Sequence, residues 1–412
     1  MDGLIAGVDL CDAYTQVNCA GEEKVWTIPT VLCRSREEDL WYVGEDAYAH
    51  NLKGDGIIVD KLVKLALRGG TATLAGVRYE AADLLREFLK HVLELPGQEY
   101  GRLDFRQIVF TVRHLDTRLI GILRGCMAGL QIPPERISVI SHPESFIYYT
   151  LSQKKEIWNN TVGMFDLSEE CLRYYEMKVQ RALKRTTVVA EYEEMEEGFN
   201  LDILDSPSGA KLADRILCSC ADRMTAKKLY SAMILSGKGF EERGWAEGFM
   251  KQICFNRRVY TEQALFARGA AARAQDILVD KNSPEKNGSP FICICEGHLK
   301  ATVSMNVLHR GQETNVVLAA AGDSWYERRA VVDVIPEAQE TIDFVITPVD
   351  SKKKRIVTIP LEGFPRRPEK TTRVNIQIAF LDGRTMDVRL KDEGFGELFP
   401  ASDAQIRQEV ML

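Results

Sequence analysis

At 412 residues, with 45% hydrophobic and 27% charged residues, the chain has the make-up of an ordinary globular protein and not of a fibrous or disordered one. Its length predicts two or three packed domains, and a formal net charge of −7 gives no electrostatic reason to expect nucleic acid or an anionic membrane surface as a partner. No stretch approaches the roughly 18 apolar residues of a membrane span, and the opening MDGLIAGVDLCDAY carries no basic, apolar leader, so a cytoplasmic chain is expected, with its 10 cysteines reduced.

In chain order, LIAGVDLCDAYTQV (Leu4 to Val17) reads as an apolar strand, an Asp-Leu pair, a short polar turn and an outgoing strand. VRYEAADLLREFLKHVLEL follows with apolar residues at helical spacing, and RQIVFTVRHLDTRLIGILRGCMAGL reads as a strand and then a helix. The first pattern then returns. TVGMFDLSEECLRYYEMKV (Thr161 to Val179) repeats the strand, the Asp-Leu pair, the turn and the outgoing strand, with Asp166 matching Asp9. YSAMILSGKGFEERGWAEGFMKQI later repeats the strand and helix. Two similar α/β halves predict a cleft between them, with the two carboxylates at matched strand ends facing across it. From about Ser289 the helical spacing stops, and short alternating segments such as ATVSMNVL, TIDFVITPV and VNIQIAF predict a β-rich domain. The polar stretch ILVDKNSPEKNGSP between the two regions reads as a linker.

Three further clusters have plain explanations. Cys218-Ser-Cys220 and Cys293-Ile-Cys295, with His298 beyond, offer four soft donors for zinc. The spacing is C-x-C without paired turns, which suits small core side chains better, and no metal site is expected. RALKRT followed by EYEEMEE reads as opposed charges on neighbouring, solvated strands, and SKKKR (Ser351 to Arg355) as a hairpin tip.

At these residues the chain resembles the actin, sugar-kinase and heat-shock ATPase superfamily. GVDLCDAYT stands at the first phosphate loop, MFDLSEEC at the second and ILSGKGFEE at the adenosine loop, while SHPESFIYYTL and TEQALFARGAAARAQ stand at the two connecting helices. Within that superfamily the likeness is to DnaK-type heat-shock chaperones, through WYVGEDAYAH and ALFARGAAARAQDIL. The stretch from Arg355 to Gly394 resembles the end of their peptide-binding β-sandwich. The resemblance implies a duplicated actin-like ATPase fold in residues 1–280, with halves about 1–158 and 159–280 and reduced outer subdomains. A linker at 281–289 and a β-sandwich at 290–412 follow, without a helical lid. It assigns VRYEAADLLREFLKHVLEL to what remains of the first outer subdomain and leaves little room for the second.

Several residues depart from what nucleotide chemistry needs. A phosphate-binding turn aims backbone N–H groups at the anion, which requires close approach and no competing negative charge. Cys11, Asp12 and Ala13 occupy the first turn, and Ser168, Glu169, Glu170 and Cys171 the second. Tyr48 stands where the resemblance implies a lysine, and His142 where it implies an acid, with Glu144 two residues on. Asp9 and Asp166 alone match the family's metal- and water-positioning carboxylates, although Asp also caps hairpins without any ligand. The nucleotide-binding remnant implied by the resemblance is Asp9, Asp12, Thr15, Asp166, Ser168, Gly237, Lys238 and Gly239, with ATP or ADP and magnesium as the implied cofactor. In SGKGF the two glycines serve either a flat ligand or strand-to-helix packing. The expected function is a degenerate, non-hydrolysing chaperone-like scaffold that binds protein or peptide segments through its β-domain. An active Mg-ATP-dependent chaperone ATPase and an actin-like filament or scaffold protein are the alternatives.

Overall fold

The computed structural model describes residues 3–102, 104–169, 171–181, 186–282, 291–337, 340–349 and 353–412. Glu170, residues 182–185 of the RALKRT stretch, most of the expected linker and the start of the SKKKR run fall outside them. The chain divides into two compact units, Met1–Phe291 and Ile292–Leu412.

The first unit opens with a meander of β1 (Leu4–Leu10), β2 (Tyr14–Cys19) and β3 (Val25–Pro29). An insertion follows, made of β4 (Leu32–Ser35), β5 (Trp41–Val43), α1 (Glu45–Lys53), β6 (Gly56–Val59), α2 (Leu62–Leu67) and the hairpin β7 (Thr71–Leu74) and β8 (Val77–Glu80). The chain then returns through α3 (Ala81–Tyr100), β9 (Phe105–Val112), α4 (Thr117–Gly129), β10 (Ile137–Ser141) and α5 (His142–Ser152). The second half repeats this path without the insertion: β11 (Thr161–Leu167), β12 (Leu172–Gln180), β13 (Thr186–Glu194), α6 (Pro207–Thr225), β14 (Tyr230–Ser236), α7 (Glu247–Ile253), β15 (Arg258–Thr261) and α8 (Leu265–Asn282).

The duplication is complete at the level of strand order. The first sheet runs β10-β9-β1-β2-β3, and the corresponding strands of the second run β15-β14-β11-β12-β13. In each, the meander is antiparallel and the two later strands join in parallel. Parallel addition requires a helical crossover, which is why each strand-turn-strand motif is followed by alternating strands and helices.

One expectation is corrected. The helix in VRYEAADLLREFLKHVLEL is α3, which packs on α4 as α6 packs on α7. It is the first half's crossover helix and not an outer-subdomain remnant, because its buried face, including Leu85, Phe88, Leu89 and Val92, serves the repeated framework. The inserted elements are β4 to β8 with α1 and α2.

The halves are joined by α5 and α8, which approach at backbone range. A Cβ on Gly7 of β1 would lie 2.2 Å from Ala267 O and Ala271 N of α8, and one on Gly269 of α8 would lie 2.0 Å from Ser145 O of α5. The Ser145 hydroxyl donates to Phe266 O at 2.5 Å. The glycines of GVDL and ARGAAA are therefore packing requirements.

After β16 (Phe291–Ile294), the second unit contains β17 (Ala301–His309), β18 (Gln312–Ala319), β19 (Ala330–Val334), β20 (Thr341–Pro348), β21 (Arg355–Pro360), β22 (Arg373–Asp382), β23 (Thr385–Gly394) and β24 (Gln405–Met411). They form two four-stranded sheets, β18-β17-β20-β21 and β19-β22-β23-β24. Val303, Phe344 and Ile346 from one sheet share a core with Ile376, Ile378 and Val388 from the other, so alternation along each strand buries one face against its counterpart. The β20–β21 pair flanks the SKKKR run, and in the LDGR turn Asp382 accepts from Arg384 N–H at 2.7 Å. No helix of the described residues is long and apolar enough to cross a membrane.

The deepest charge in this unit is Asp392, fully buried on β23. Its oxygens accept from both terminal nitrogens of Arg367 at 2.7 Å, from Gly394 N–H at 3.0 Å, and from Ser402 N–H and Oγ at 2.9 and 2.7 Å. These bonds, led by the Arg367 guanidinium, hold the carboxyl far below its ordinary value.

Two outcomes are expected. Gly7→Ala should lower the free energy of unfolding by about 1–3 kcal/mol in urea titrations, since the facing atoms are backbone and cannot rotate away. Asp392→Asn should cost about 3–5 kcal/mol by removing the counter-charge of a buried guanidinium. Because Asp392 titrates lower in the folded than in the unfolded state, its contribution is present above the unfolded value near pH 3.9 and is lost as pH falls below it. A wild-type protein whose β unit keeps its full stability far below that pH would refute this assignment.

Candidate functional site

Asp9 and Asp166 are each the sixth residue of a seven-residue strand, β1 and β11, and both are buried. In register, Asp9 lies beside Thr111 of β9 and Asp166 beside Ser236 of β14, at the ends where the parallel strands stop. Asp166 lies within electrostatic reach of the Asp9 carboxylate.

The protein meets this negative charge with its own basic side chains. Arg113, just past the end of β9, donates from Nη2 to Ser168 Oγ at 3.3 Å and acts electrostatically on Cys11 and Asp166. His142, the first residue of α5, pairs through Nε2 with Asp9 Oδ1 at 2.8 Å, its ring stacked on Phe266 at a centroid distance of 3.8 Å. Arg173, directly opposite Asp166 on β12, donates from Nε and Nη2 to Glu194 at 3.0 and 2.7 Å and approaches His114 Nε2 at 3.2 Å. Burial pushes the Asp166 carboxyl above its ordinary value, while His142, Arg113 and Arg173 pull it back. Partial desolvation and then the Arg173 guanidinium push the His114 imidazole below its ordinary value.

The remaining residues of the expected site are committed elsewhere. Asp12 accepts from the N–H groups of Val63 and Lys64 at 3.0 and 3.1 Å, so its carboxylate caps the first turn of α2. Thr15 shares a buried 2.8 Å hydrogen bond with Thr30. Ser168 closes the β11–β12 turn, its N–H and Oγ both reaching Cys171 O at 3.0 and 3.2 Å. Glu169 forms an ion pair with Lys238. Gly237 has φ of 90°, and a Cβ there would lie 2.4 Å from Leu167 O and 2.8 Å from Asp166 Oδ1. A Cβ on Gly239 would lie 2.4 Å from Leu167 Cδ2. Both glycines of SGKGF therefore bring this turn against the end of β11. Beside it lies a depression of about 690 Å³ lined by Glu169, Cys171, Glu194, Met195, Glu196, Gly198, Phe199 and Asn200. Three of its lining side chains are carboxylates, a poor setting for an anionic ligand.

Of the zinc donors considered from sequence, Cys220 is buried in the second half's core, with Cys218 packed against that core. Neither belongs to a ligand-like cluster among the described residues.

Arg113, Arg173 and His114 did not stand out in the sequence. The available signal was positional. TVRH ends the strand expected beside the Asp9 strand, and parallel neighbours end together.

Residues 13–296 match a family model described as "Family of unknown function (DUF5716) C-terminal", and residues 298–412 one described as "Domain of unknown function (DUF8552)". No curated protein matches the chain. Among solved structures, a non-polymerising mutant of MamK bound to AMPPNP aligns at 12% identity and a TM-score of 0.39, over 66% of this chain and 99% of that one.

Removing Arg113 should leave the clustered carboxylates under-neutralised. Arg113→Ala is expected to lower stability by about 1–3 kcal/mol in urea titration at neutral pH. Adding Asp166→Asn should recover part of that loss, and strictly additive effects in the double variant would show that the two groups are not coupled.

Proposed function

This chain belongs to the DUF5716 family of unknown function, and from that premise we propose that it is a non-hydrolysing scaffold protein built on an actin-type duplicated frame. The frame reading is supported by the five strands that recur in the same order in each sheet and by α8 packed at backbone range against β1 and α5. One observation carries the loss of catalysis: Arg113 is held on Ser168 within electrostatic reach of Asp166, so the protein supplies the cation that its facing carboxylates require.

A magnesium nucleotide does not fit this set of groups. The phosphate path needs free backbone N–H groups and an unblocked turn. Here the first turn carries Asp12, whose carboxylate holds α2, and the second carries Glu169 paired with Lys238. Carboxylates also line the neighbouring depression. In this reading the first unit is a rigid platform. The second engages protein segments, for which β19 stands at the end of its sheet with Val331 exposed, a geometry suited to strand addition.

The test combines thermal unfolding with and without magnesium ATP or ADP, a phosphate-release assay, and light scattering against protein concentration. A ligand at 100 times its dissociation constant stabilises by about 2.7 kcal/mol, which is easily seen as a shifted midpoint. No turnover is expected. Phosphate release abolished by Asp9→Ala would overturn the non-hydrolysing reading. Scattering that rises with concentration would place the scaffold role in self-assembly.

A further inference from the structure

Asp9, Cys11 and His142 converge at the end of β1, and all three are buried. Their donor atoms lie within 4.8 Å of one another. Two of the contacts meet on one oxygen: His142 Nε2 stands 2.8 Å and Cys11 Sγ 3.6 Å from Asp9 Oδ1. We propose that Asp9, Cys11 and His142 form a binding site for a divalent transition-metal ion of the zinc class, independent of nucleotide.

Two of the three donor separations are close to what such an ion requires, and the third is under 4.8 Å. With bonds of about 2.0 Å to oxygen and nitrogen and about 2.3 Å to sulfur, tetrahedral donors sit about 3.3 to 3.5 Å apart. The Cys11 to Asp9 separation already matches, and the His142 to Asp9 contact opens by only a few tenths of an ångström on the same geometry. Thiolate with imidazole favours zinc, cobalt or copper over magnesium, which prefers oxygen donors.

Protons and charge also balance. In the metal-free protein the Cys11 thiol and the His142 Nε2–H both point at Asp9. On loading, the thiol proton leaves to solvent, and the imidazole proton moves to Nδ1, which has no hydrogen-bond partner among the described residues. A dication, a thiolate and a carboxylate sum to zero, one unit more positive than the metal-free carboxylate with its neutral thiol and imidazole, and Asp166 remains near Arg113 as its counter-charge. Because a thiolate and not a thiol binds such an ion, loading must release the Cys11 proton, and binding should tighten as pH rises.

The full chain, stripped with a chelator, is titrated with zinc chloride and cobalt chloride in the absence of nucleotide, which separates this result from the nucleotide test. One equivalent per chain is expected, with a thiolate-to-cobalt charge-transfer band in the cobalt form. Cys11→Ser and His142→Ala should weaken binding at least about tenfold, and Cys11→Ser should abolish the band. Cys254→Ser, which removes an exposed thiol, should change neither. Absence of binding, or binding unaffected by Cys11→Ser, overturns the proposal and leaves an Asp–His pair and a core cysteine. Should Cys11→Ser fail to fold, a wild-type cobalt form without the thiolate band is sufficient to reject it.

Discussion

The first unit depends on backbone-to-backbone contact at Gly7. Helix α8, the last element of the second half, lies so close to the first strand of the first half that any side chain at this position would overlap Ala267 O and Ala271 N. Gly269 repeats the device where α8 meets α5. Interiors are packed like organic crystals, so contacts this close set the position of one element on another within narrow limits. The two halves are thereby locked, and the ends of β1 and β11 are brought together. The approach of Asp9 and Asp166 follows from that lock.

Bringing two carboxylates together in a buried setting is costly unless cations are present. Nucleotide enzymes meet the cost with a metal ion and their substrate's contacts. This protein uses the guanidinium groups of Arg113 and Arg173, with the imidazole of His142 hydrogen-bonded to Asp9. The same logic explains the acidic turn SEE: Glu169 is answered by Lys238, and Ser168 holds both the turn and Arg113. The β unit follows the rule in miniature at Asp392, where one guanidinium and three further donors surround a single carboxylate. In both units buried charge is confined to places where the chain itself supplies the counter-charge.

Much of the fold was legible in the sequence. The repeat of strand, Asp-Leu, turn and strand around Asp9 and Asp166 announced the duplication, because a period-2 apolar pattern followed by helical spacing leaves few alternatives. The switch to short alternating segments after Ser289 marked the β unit for the same reason. Less legible was the role of α3. Its amphipathic spacing predicted a helix, but spacing does not say which partner the apolar face meets, and the β4 to β8 insertion separates it from the meander to which it belongs. The site was legible in its carboxylates Asp9 and Asp166, whereas the partners of Asp12 and Glu169 were not.

What the sequence by itself determined was local: strands and helices from periodicity, and turns from Asp and Gly. Only the tertiary structure decided which charges meet. Arg113 lies 55 positions from Ser168, and His142 lies 133 from Asp9. Such pairs depend on strand register and on helices docking at backbone range, and no local pattern encodes either. The same convergence sets Cys11 beside Asp9 and His142, turning three residues that are unremarkable along the chain into a set of metal-type donors around one point.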